Sequence, residues 1–408
     1  MKSKLLICIL CFVLLCGCWD KHELEDHIFV VMMGLDKAQE DDSLLVTVAF
    51  PVTQTANGGD QDSGQYAVIS AKAPTVAEAM ALFGVKLAGP VSLFSTKTLV
   101  ISEELARDEM LRHVLSSGQY QQMRNNTNVL ISKSGAAEFI AARMENPAID
   151  PLRQEDLLLE QANYNAYYMP MQLLDLLVNM RSDNTDAAAM YGGVAPKDEE
   201  DEDISGEDHP QENSSGSEDI KEPVRRGYLP GQVPVKSENR AQICGLAVFR
   251  GNRMVGALDS AQVQTFAMMT KSPTRKILTL PDPLSPDDNI VVSIAPTRKG
   301  RIRGYFAGDT PTFDIEVNLR TSIEYIRDDA DYEQDFLAHY IRQTCEQNMR
   351  ELVATLQKEY GADLLGLGNK LVRNFLTVQK WEAFNWRERY EGAEINIHVN
   401  VRLERTDM

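Results

Sequence analysis

The acidic stretch from Asp198 to Glu222 sets the main limit on how this chain can fold. It holds 12 acidic residues and one lysine, and its only large apolar side chains are Ile204 and Ile220. A segment of this composition cannot bury enough surface to offset the entropy lost on ordering, and its like charges repel one another. The sequence therefore predicts a disordered acidic linker at residues 197–224, with folded parts on either side.

The parts on either side of this linker have a globular composition. In the 408-residue chain 43% of the residues are hydrophobic and 25% are charged, which is typical of folded domains. The length is enough for two or three domains. We predict an N-terminal α+β domain at 18–196, a small middle domain at 225–288 and a C-terminal α+β domain at 289–408. The last boundary follows a turn-rich joint that contains Pro281, Pro283 and Pro286.

The net charge of the chain comes largely from the predicted linker. The whole chain carries a formal charge of −19, and the 12 acidic residues and one lysine of the linker contribute −11 of it. The folded parts are therefore only moderately acidic. This balance argues against a nucleic-acid partner, because phosphate backbones are bound by basic surfaces.

The first 17 residues have the pattern of a secretory signal peptide. Lys2 and Lys4 precede an unbroken apolar run at residues 5–15. That run is far shorter than the roughly 20 residues that a membrane-spanning helix needs. We therefore predict that residues 1–17 direct export and are then removed.

The end of this signal predicts lipid attachment at Cys18. The sequence Leu-Cys-Gly-Cys at 15–18 resembles a lipobox, although Cys16 stands where Ser or Ala is more common. We predict that Cys18 becomes the first residue of the mature chain and carries S-diacylglycerol and N-palmitoyl groups. The protein would then be lipid-anchored on the extracytoplasmic side of a membrane. The alternative is an ordinary secreted protein with a chance cysteine at its cleavage site.

Alternating strand and helix signals predict the fold of the N-terminal part. The segments His27–Asp36 and Ser43–Thr53 have the pattern of a β-hairpin, and Pro74 is expected in the first turn of a helix. Two further strand–helix cycles follow, at 93–115 and 128–144. Hairpins pair antiparallel, whereas strand–helix–strand cycles pair parallel, so the sequence predicts a mixed sheet.

The residues after the linker predict a second set of strands and helices. The segments 242–249 and 254–258 form a predicted hairpin, and Asp259 is a candidate helix cap. A long amphipathic helix is expected to end at Gly361, and an alternating strand at Ala393–Leu403 closes the chain. We predict an α+β fold of mixed and antiparallel sheets flanked by helices.

The sequence contains no recognised catalytic or metal-binding motif. Its six histidines, at positions 22, 27, 113, 209, 339 and 398, lack the spacing of zinc ligands, and no nucleophile motif is present. Gly366 and Gly368 interrupt a helix predicted over Asp363–Leu376. They lack the ending of a phosphate loop, so a helix break or close packing is favoured. We predict no enzyme activity and no catalytic, metal-binding or cofactor-binding residues.

Two groups of residues could carry chemistry, but their patterns favour packing. Cys244 and Cys345 are the only cysteines after residue 18, and each lies in an apolar pattern. Two buried free thiols are favoured over a single disulfide between them. Trp381, Phe384 and Trp386 form an aromatic cluster, for which core packing is favoured over stacking on a sugar or another ligand.

Three short motifs, in this order along the chain, resemble a known family. The first is Cys-Trp-Asp at 18–20, followed by a charged stretch and an apolar strand that ends at Asp36. The second spans Gly245–Asp259, and the third is Asp363-Leu-Leu-Gly-Leu-Gly, followed by two tryptophans and a terminal strand. The ordered set resembles the spore germination lipoproteins of the Ger(x)C family, the C subunits of nutrient germinant receptors. His22, where many members have Arg, and the acidic insert are departures from the family pattern.

The resemblance implies a non-enzymatic, membrane-anchored ectodomain of three α+β domains. Its implied partners are two integral membrane subunits, one of them transporter-like, at the inner spore membrane. Such complexes respond to amino acids, sugars or nucleosides and trigger the release of ions and dipicolinate. We keep two alternatives. The first is a substrate-binding lipoprotein of a transporter-like complex, and the second is a lipid-anchored hydrolase of the cell envelope.

Overall fold

The computed structural model describes residues 27–38, 43–52, 65–87, 89–108, 122–145, 150–196, 227–235, 237–270, 275–285, 288–297, 301–327 and 332–404. Cys18, the predicted signal peptide and the predicted linker at 197–224 lie outside these ranges. Within these ranges, every helix is too short or too polar to span a lipid bilayer.

The described strands form two main sheets and one short ribbon. In chain order they are β1 (Ile28–Phe29), β2 (Met32–Lys37), β3 (Leu44–Val52), β4 (Gln65–Ala73), β5 (Val91–Ser92), β6 (Thr98–Ser102), β7 (Asn128–Ser132), β8 (Ala188–Val194), β9 (Ala241–Arg250), β10 (Arg253–Leu258), β11 (Lys276–Pro281), β12 (Asn289–Pro296), β13 (Arg301–Ala307), β14 (Thr310–Tyr325) and β15 (Glu394–Leu403).

The helices of the described ranges flank these sheets. In chain order they are α1 (Val76–Lys86), α2 (Glu103–Arg107), α3 (Ala136–Met144), α4 (Pro151–Asn165), α5 (Leu173–Met180), α6 (Ser260–Met269), α7 (Gln334–Ala354), α8 (Gly368–Leu371), α9 (Val378–Phe384) and α10 (Trp386–Arg389). A π-helical segment, Thr355–Glu359, continues α7, and a 3₁₀ turn, Val372–Asn374, continues α8.

The first sheet has eight strands in the order β10-β9-β8-β7-β6-β2-β3-β4. The central pairs β2–β6, β6–β7 and β7–β8 are parallel, and the outer pairs are antiparallel hairpin partners or neighbours. This is the mixed sheet that the opening hairpin and the strand–helix cycles predict. Parallel neighbours need a crossover connection, which helices on the sheet faces supply.

Both faces of the first sheet are covered. Helices α1, α2 and α5 pack on one face, where Phe83, Leu105 and Leu176 are buried. Helices α3 and α4 cover the other face with Phe139 and Leu158. Successive strand residues point to opposite faces, so the strand sequences are apolar almost throughout rather than alternating.

The second sheet has five strands, with the order β11-β12-β14-β13 and β15 paired to β14. Strand β14 is long enough to pair with both β12 and β13 along one edge and in parallel with β15 along the other. Helix α7 makes the crossover that this parallel pair requires. Its buried stripe, including Leu337, Ile341 and Met349, belongs to the core on this sheet.

The strands of the predicted middle domain, 225–288, do not form a sheet of their own in the described ranges. Strands β9 and β10 extend the first sheet through β8, whereas β11 belongs to the second sheet. Strand β9 is buried on both faces from Cys244 to Phe249, so the hairpin needs a neighbouring strand to pair with and packing on its faces. The domain boundaries themselves stay a prediction, but the structure is best described by its two sheets.

Three local predictions need correction. Pro74 precedes the helix instead of opening it, because Thr75 is the N-cap of α1 and its hydroxyl accepts a hydrogen bond from the Glu78 N–H at 3.2 Å. The helix predicted at 103–115 is described only as α2, and residues 109–121 lie outside the described ranges. The helix predicted over Asp363–Leu376 is reduced to α8 and a 3₁₀ turn. The α+β class, with mixed and antiparallel sheets flanked by helices, is confirmed.

Candidate functional site

The second and third sequence motifs meet at a buried junction between the two sheets. The β9–β10 turn contributes Gly251, and the segment after α7 contributes Asp363. The loop before β8 contributes Asp186, which contacts both. We call this group, together with Trp386 and Arg387 of α10, the aspartate junction.

Asp363 organises the third motif by accepting hydrogen bonds from three N–H groups. Its Oδ1 accepts from the Leu367 N–H at 3.0 Å, and its Oδ2 accepts from the Gly368 N–H at 2.9 Å and the Trp386 Nε1–H at 3.0 Å. The side chain is buried, and burial raises the pKa of Asp363 to about 6 although the three donors lower it. Burial disfavours the charged form, whereas the donors favour it.

The paired glycines of this motif have separate structural reasons. Gly366 has φ +66°, a left-handed conformation that favours glycine. At Gly368 an added Cβ would lie 2.4 Å from the Asn184 carbonyl oxygen and 2.6 Å from the Trp386 ring. The chain therefore turns at one glycine and packs closely at the other, so the predicted helix cannot run through them. The predicted helix break and close packing are both present, and the second glycine begins α8.

Asp186 links three separate parts of the chain. Its Oδ1 accepts from the Gly251 N–H at 2.9 Å and lies 3.4 Å from Arg387 Nη2, while its Oδ2 accepts from the Asp363 N–H at 3.0 Å. Its own N–H donates to the Asp363 carbonyl at 3.0 Å. Arg387 also donates to the Ser182 carbonyl at 2.5 Å. Each sheet is thus hydrogen-bonded to the other by buried groups, whose loss is costly.

The aromatic cluster packs beside this junction, as predicted. Trp381 and Trp386 are buried, and their ring centroids lie 6.5 Å apart. Phe384 is partly buried, 5.7 Å from the Trp381 ring. The Trp381 Nε1–H donates to Asn184 Oδ1 at 2.6 Å. Both indole N–H groups therefore bind acceptors, Trp381 across the junction at Asn184 and Trp386 at Asp363, which satisfies buried donors that an aromatic core alone would leave unpaired.

An open groove runs along the outer side of the junction. Its volume is about 450 Å³, and its walls include Ser182 and Asp183 from the first-sheet side and Leu376, Val378 and Glu382 from the second. A groove of similar volume, about 440 Å³, lies on the other side of Phe375. Within the described ranges no group of three or more His, Cys, Asp or Glu side chains could hold a metal ion.

The first motif also ends on a hydrogen-bonded aspartate. Asp36 lies in β2, and its two carboxylate oxygens accept from the Ala136 N–H at 2.6 Å and the Ala137 N–H at 2.9 Å. It therefore caps α3 from a strand 100 residues earlier in the chain. Burial raises the pKa of Asp36, against the effect of these two donors. Gly135, at φ +92°, stands at the N-cap position and has no side chain to do this.

The two cysteines after residue 18 are free and buried, as predicted. Cys244 donates to the Tyr228 carbonyl at 3.2 Å, and burial raises its pKa to about 11. Burial raises the pKa of Cys345 to about 12. Thiols with pKa values this high are poor nucleophiles at neutral pH.

Sequence reasoning found Asp36, Asp363, the paired glycines and the tryptophans as motif residues but did not assign their contacts. It missed Asp186 and Arg387, which belong to no sequence pattern by themselves. Asp186 is separated from Asp363 by 177 positions. Only a signal that pairs distant positions could have found this contact.

Two family models together match most of the chain. The model described as "Spore germination protein N-terminal domain" matches residues 20–192. The model described as "Spore germination B3/ GerAC like, C-terminal" matches residues 244–407. The interval between the two matches contains the predicted acidic linker.

Two spore germination proteins and one solved structure are similar to this chain, and each covers a different share of it. The "Putative spore germination protein YfkR" of Bacillus subtilis (strain 168) is 24% identical over 417 residues, covering 98% of this chain and 94% of that protein. The "Spore germination protein KC" of the same organism is 26% identical over 137 residues, or 32% of this chain and 34% of that protein. The crystal structure of the GerBC protein matches with a TM-score of 0.54 at 12% identity, covering 91% of this chain and 97% of that one.

Proposed function

Because this chain belongs to the Ger(x)C family of spore germination proteins, we propose that it is the lipid-anchored C subunit of a nutrient germinant receptor complex. Family membership supports a C-subunit role, membrane partners and a membrane-associated, extracytoplasmic location in general terms. The proposal adds the anchor at Cys18, and docking onto two integral membrane subunits, one of them transporter-like, at the inner spore membrane. In this proposal the chain needs no cofactor and catalyses no reaction.

The docking role is supported by the hydrogen bonds that the motif aspartates make inside the fold. The carboxylates of Asp36, Asp186 and Asp363 accept hydrogen bonds from backbone and indole N–H groups inside the fold. They do not converge on an open cavity with a nucleophile or a base. The motifs therefore favour a rigid ectodomain that presents surfaces to partners.

The alternative, a substrate-binding lipoprotein, requires two lobes that close on a ligand. The aspartate junction opposes such a hinge, because closure would break the buried hydrogen bonds between Asp186 on the first-sheet side and Asp363 on the second. Titration calorimetry of the ectodomain against amino acids, sugars and nucleosides tests this point. We expect no tight binding. Micromolar binding of one nutrient would contradict the docking role if a substitution in the lining of the open groove abolished both that binding and the spore response.

Cys18→Ala tests the proposed anchor. We expect the variant to remain unprocessed or to be poorly retained by membranes, because a diacylated cysteine gives stable anchoring. Fractionation of spore membranes measures this, with Cys244→Ala as the control for loss of a thiol that lies inside the fold. Full membrane retention and a normal nutrient response in Cys18→Ala would show that partner contacts suffice without the lipid.

A further inference from the structure

The described residues nearest to Cys18 in the chain lie at the end of the first sheet where its parallel strands begin. We call this end of the strands one edge of the sheet, and the end where they finish the opposite edge. The parallel strands begin there in register, with Met32 beside Thr98 and Thr98 beside Asn128. The first described residue, His27, precedes β1, and β1 pairs with β5 at the same edge. Nine residue steps separate Cys18 from His27. Even fully extended they span only about 30 Å. If Cys18 is lipidated, this edge is therefore held close to the lipid surface.

Exposed apolar side chains are spread along this same edge. We call them the apolar row, and 45% to 90% of each side chain is exposed to solvent. The row consists of Val85, Phe94, Leu174, Val178, Leu376 and Val378. Side chains of this size are seldom exposed together without an interaction partner.

Backbone contacts place the members of the apolar row on neighbouring segments. Phe94 follows β5 by two residues, and the guanidinium of Arg124 lies 4.3 Å from its ring centroid. The Leu174 N–H donates to the Asn125 carbonyl at 3.2 Å, so α5 begins beside the Phe94–Arg124 pair. Val178 lies one helical turn further along α5, on the same helix face as Leu174.

The row continues from α5 to the second sheet and from β5 to α1. Ser182, four residues after Val178, faces Leu376 and Val378 across the open groove. At the other end Val85 lies in the last turn of α1, which contacts β5. The row thus follows the edge past the point where the chain from Cys18 enters the fold.

We propose that the apolar row rests on the membrane surface and inserts its side chains among the lipid headgroups. This proposal rests on the lipid anchor of the proposed function. Lipid is the surface that the apolar row would meet, because the short chain between Cys18 and His27 holds this edge, and not the opposite one, beside the bilayer. Apolar side chains next to a cation such as Arg124 suit the headgroup region. Asp175 and Asp183 lie among the row residues, so apolar insertion rather than charge attraction would drive the contact.

The opposite edge of the first sheet provides a matched control. Strand β8 ends at Val194 beside the start of β9, and Gln242 of β9 donates to the Val233 carbonyl at 3.2 Å. Val235 therefore lies at the far edge. It is 64% exposed, compared with 56% for Val178. The two valines differ in position but hardly in exposure.

Fluorescence quenching on the lipidated full-length chain tests the proposal. The chain is reconstituted in vesicles of phosphatidylethanolamine and phosphatidylglycerol that contain a nitroxide-headgroup lipid. A fluorophore is attached at Val178→Cys or Val235→Cys, since Cys244 and Cys345 are buried and have raised pKa values. We expect quenching several-fold stronger at position 178 than at 235. Equal quenching at the two positions would overturn the proposal.

A longer tether separates insertion from mere proximity. A Gly-Ser insert after Asp20, as long as residues 19–26, allows the ectodomain to move away from the bilayer. If the row binds lipid, quenching at position 178 persists in this variant. Loss of the difference between positions 178 and 235 would mean that the tether alone held the edge near the membrane, contrary to the proposal.

Vesicle flotation of a chain with Cys18→Ser tests the row without the anchor. The combined variant Phe94→Ser, Leu174→Ser and Val178→Ser is compared with Val235→Ser. We expect a loss of vesicle partitioning of about tenfold or more for the first and no loss for the second. High salt should leave the partitioning of the parent chain unchanged. Equal partitioning of the two variants would contradict lipid contact by the row.

Co-purification with the integral membrane subunits distinguishes this inference from the proposed function. If the combined row variant partitions normally into vesicles but no longer co-purifies with those subunits, the row is a protein interface and the lipid contact is wrong. If the lipidated chain co-purifies with the subunits and the row shows no lipid contact, the proposed function stands and this inference alone fails.

Discussion

At the scale of single residues, the aspartates of the sequence motifs act as buried acceptors. Asp363 binds three N–H donors, and Asp186 joins the same junction from the other sheet. Each donor would be left unpaired in a buried site without them. The motif aspartate Asp363 of this chain is thus explained by hydrogen bonding inside the fold.

Replacing Asp363 with alanine should strongly destabilise the ectodomain. The N–H groups of Leu367, Gly368 and Trp386 would lose their acceptor. We expect the free energy of unfolding to fall by about 3 kcal/mol or more. Denaturant unfolding measures the change. Asp183→Ala, at an exposed neighbour on the groove wall, is the control and should be nearly neutral. Equal effects of the two changes would argue against the acceptor role.

The raised pKa of Asp363 predicts a pH dependence of stability. The folded-state pKa is about 6, against an ordinary value of 3.8. The folded state therefore binds the Asp363 proton more tightly than the unfolded state does. The stability that this tighter proton binding adds is fully present below pH 3.8 and is lost as the pH rises to about 6. The loss is of order 3 kcal/mol.

Asp363→Asn, which does not titrate, is the reference for this pH dependence. The stability of the parent chain minus that of the variant should fall between these two pH values and then level off. A constant difference across the range would show that the carboxyl has no raised pKa in the folded protein.

At the scale of elements, close packing decides which helical positions require glycine. Helix α8 starts at Gly368, where the Asn184 carbonyl and the Trp386 ring leave no room for a side chain. Helix α1 contains Gly84, where nothing lies within 4 Å of an added Cβ. Packing therefore requires glycine at position 368, whereas position 84 has room for a side chain.

Gly368→Ala and Gly84→Ala should change stability in opposite directions. At Gly368 the added methyl group meets backbone and ring atoms, and we expect a loss of about 1–3 kcal/mol. At Gly84 alanine has the higher helix propensity, and we expect a gain of about 0.5–1 kcal/mol. Thermal and denaturant unfolding of the two variants provide the measurement. A neutral Gly368→Ala would mean that the packing at the junction can relax.

At the scale of the whole molecule, two sheets are joined through the aspartate junction and through strands that follow the predicted linker. Strand β9 returns beside β8, and the Ala195 N–H donates to the Arg240 carbonyl at 2.9 Å. The acidic segment thus leaves and re-enters the fold near one edge of the first sheet. Strand β8 precedes the segment, and Gly231, which follows it, donates its N–H to Gln242 of β9 at 2.9 Å, so both flanks are held at this edge.

Deletion of Asp198–Glu222 should leave the fold intact. The flanks of the segment are already held side by side, because β8 and Gly231 both bind β9, and shortening such a loop changes stability only slightly. We expect the thermal midpoint of the ectodomain to stay within the error of the measurement. Deletion of an equal length across α5 and the start of β8 provides the contrast, because those residues are in the core. A large drop for the acidic deletion would mean that the segment packs against the fold.

Elements whose signals are local can be predicted from the sequence. The opening hairpin, helix α3 at 136–144, the Asp259 cap of α6 and the alternating last strand follow from periodicity, turn residues and capping within a few positions. The buried state of Trp381 and of both free cysteines follows equally from apolar surroundings.

Which of these elements meet is visible in the folded protein but not in any local pattern. Strand β15 pairs in parallel with β14, β9 and β10 join the first sheet, and Asp186 meets Asp363 from 177 positions away. Hydrophobic periodicity states which face of an element is buried, but it does not state against what. The partner is chosen by which long-range contacts together offset the entropy of closing the intervening loops, and no local pattern records that choice.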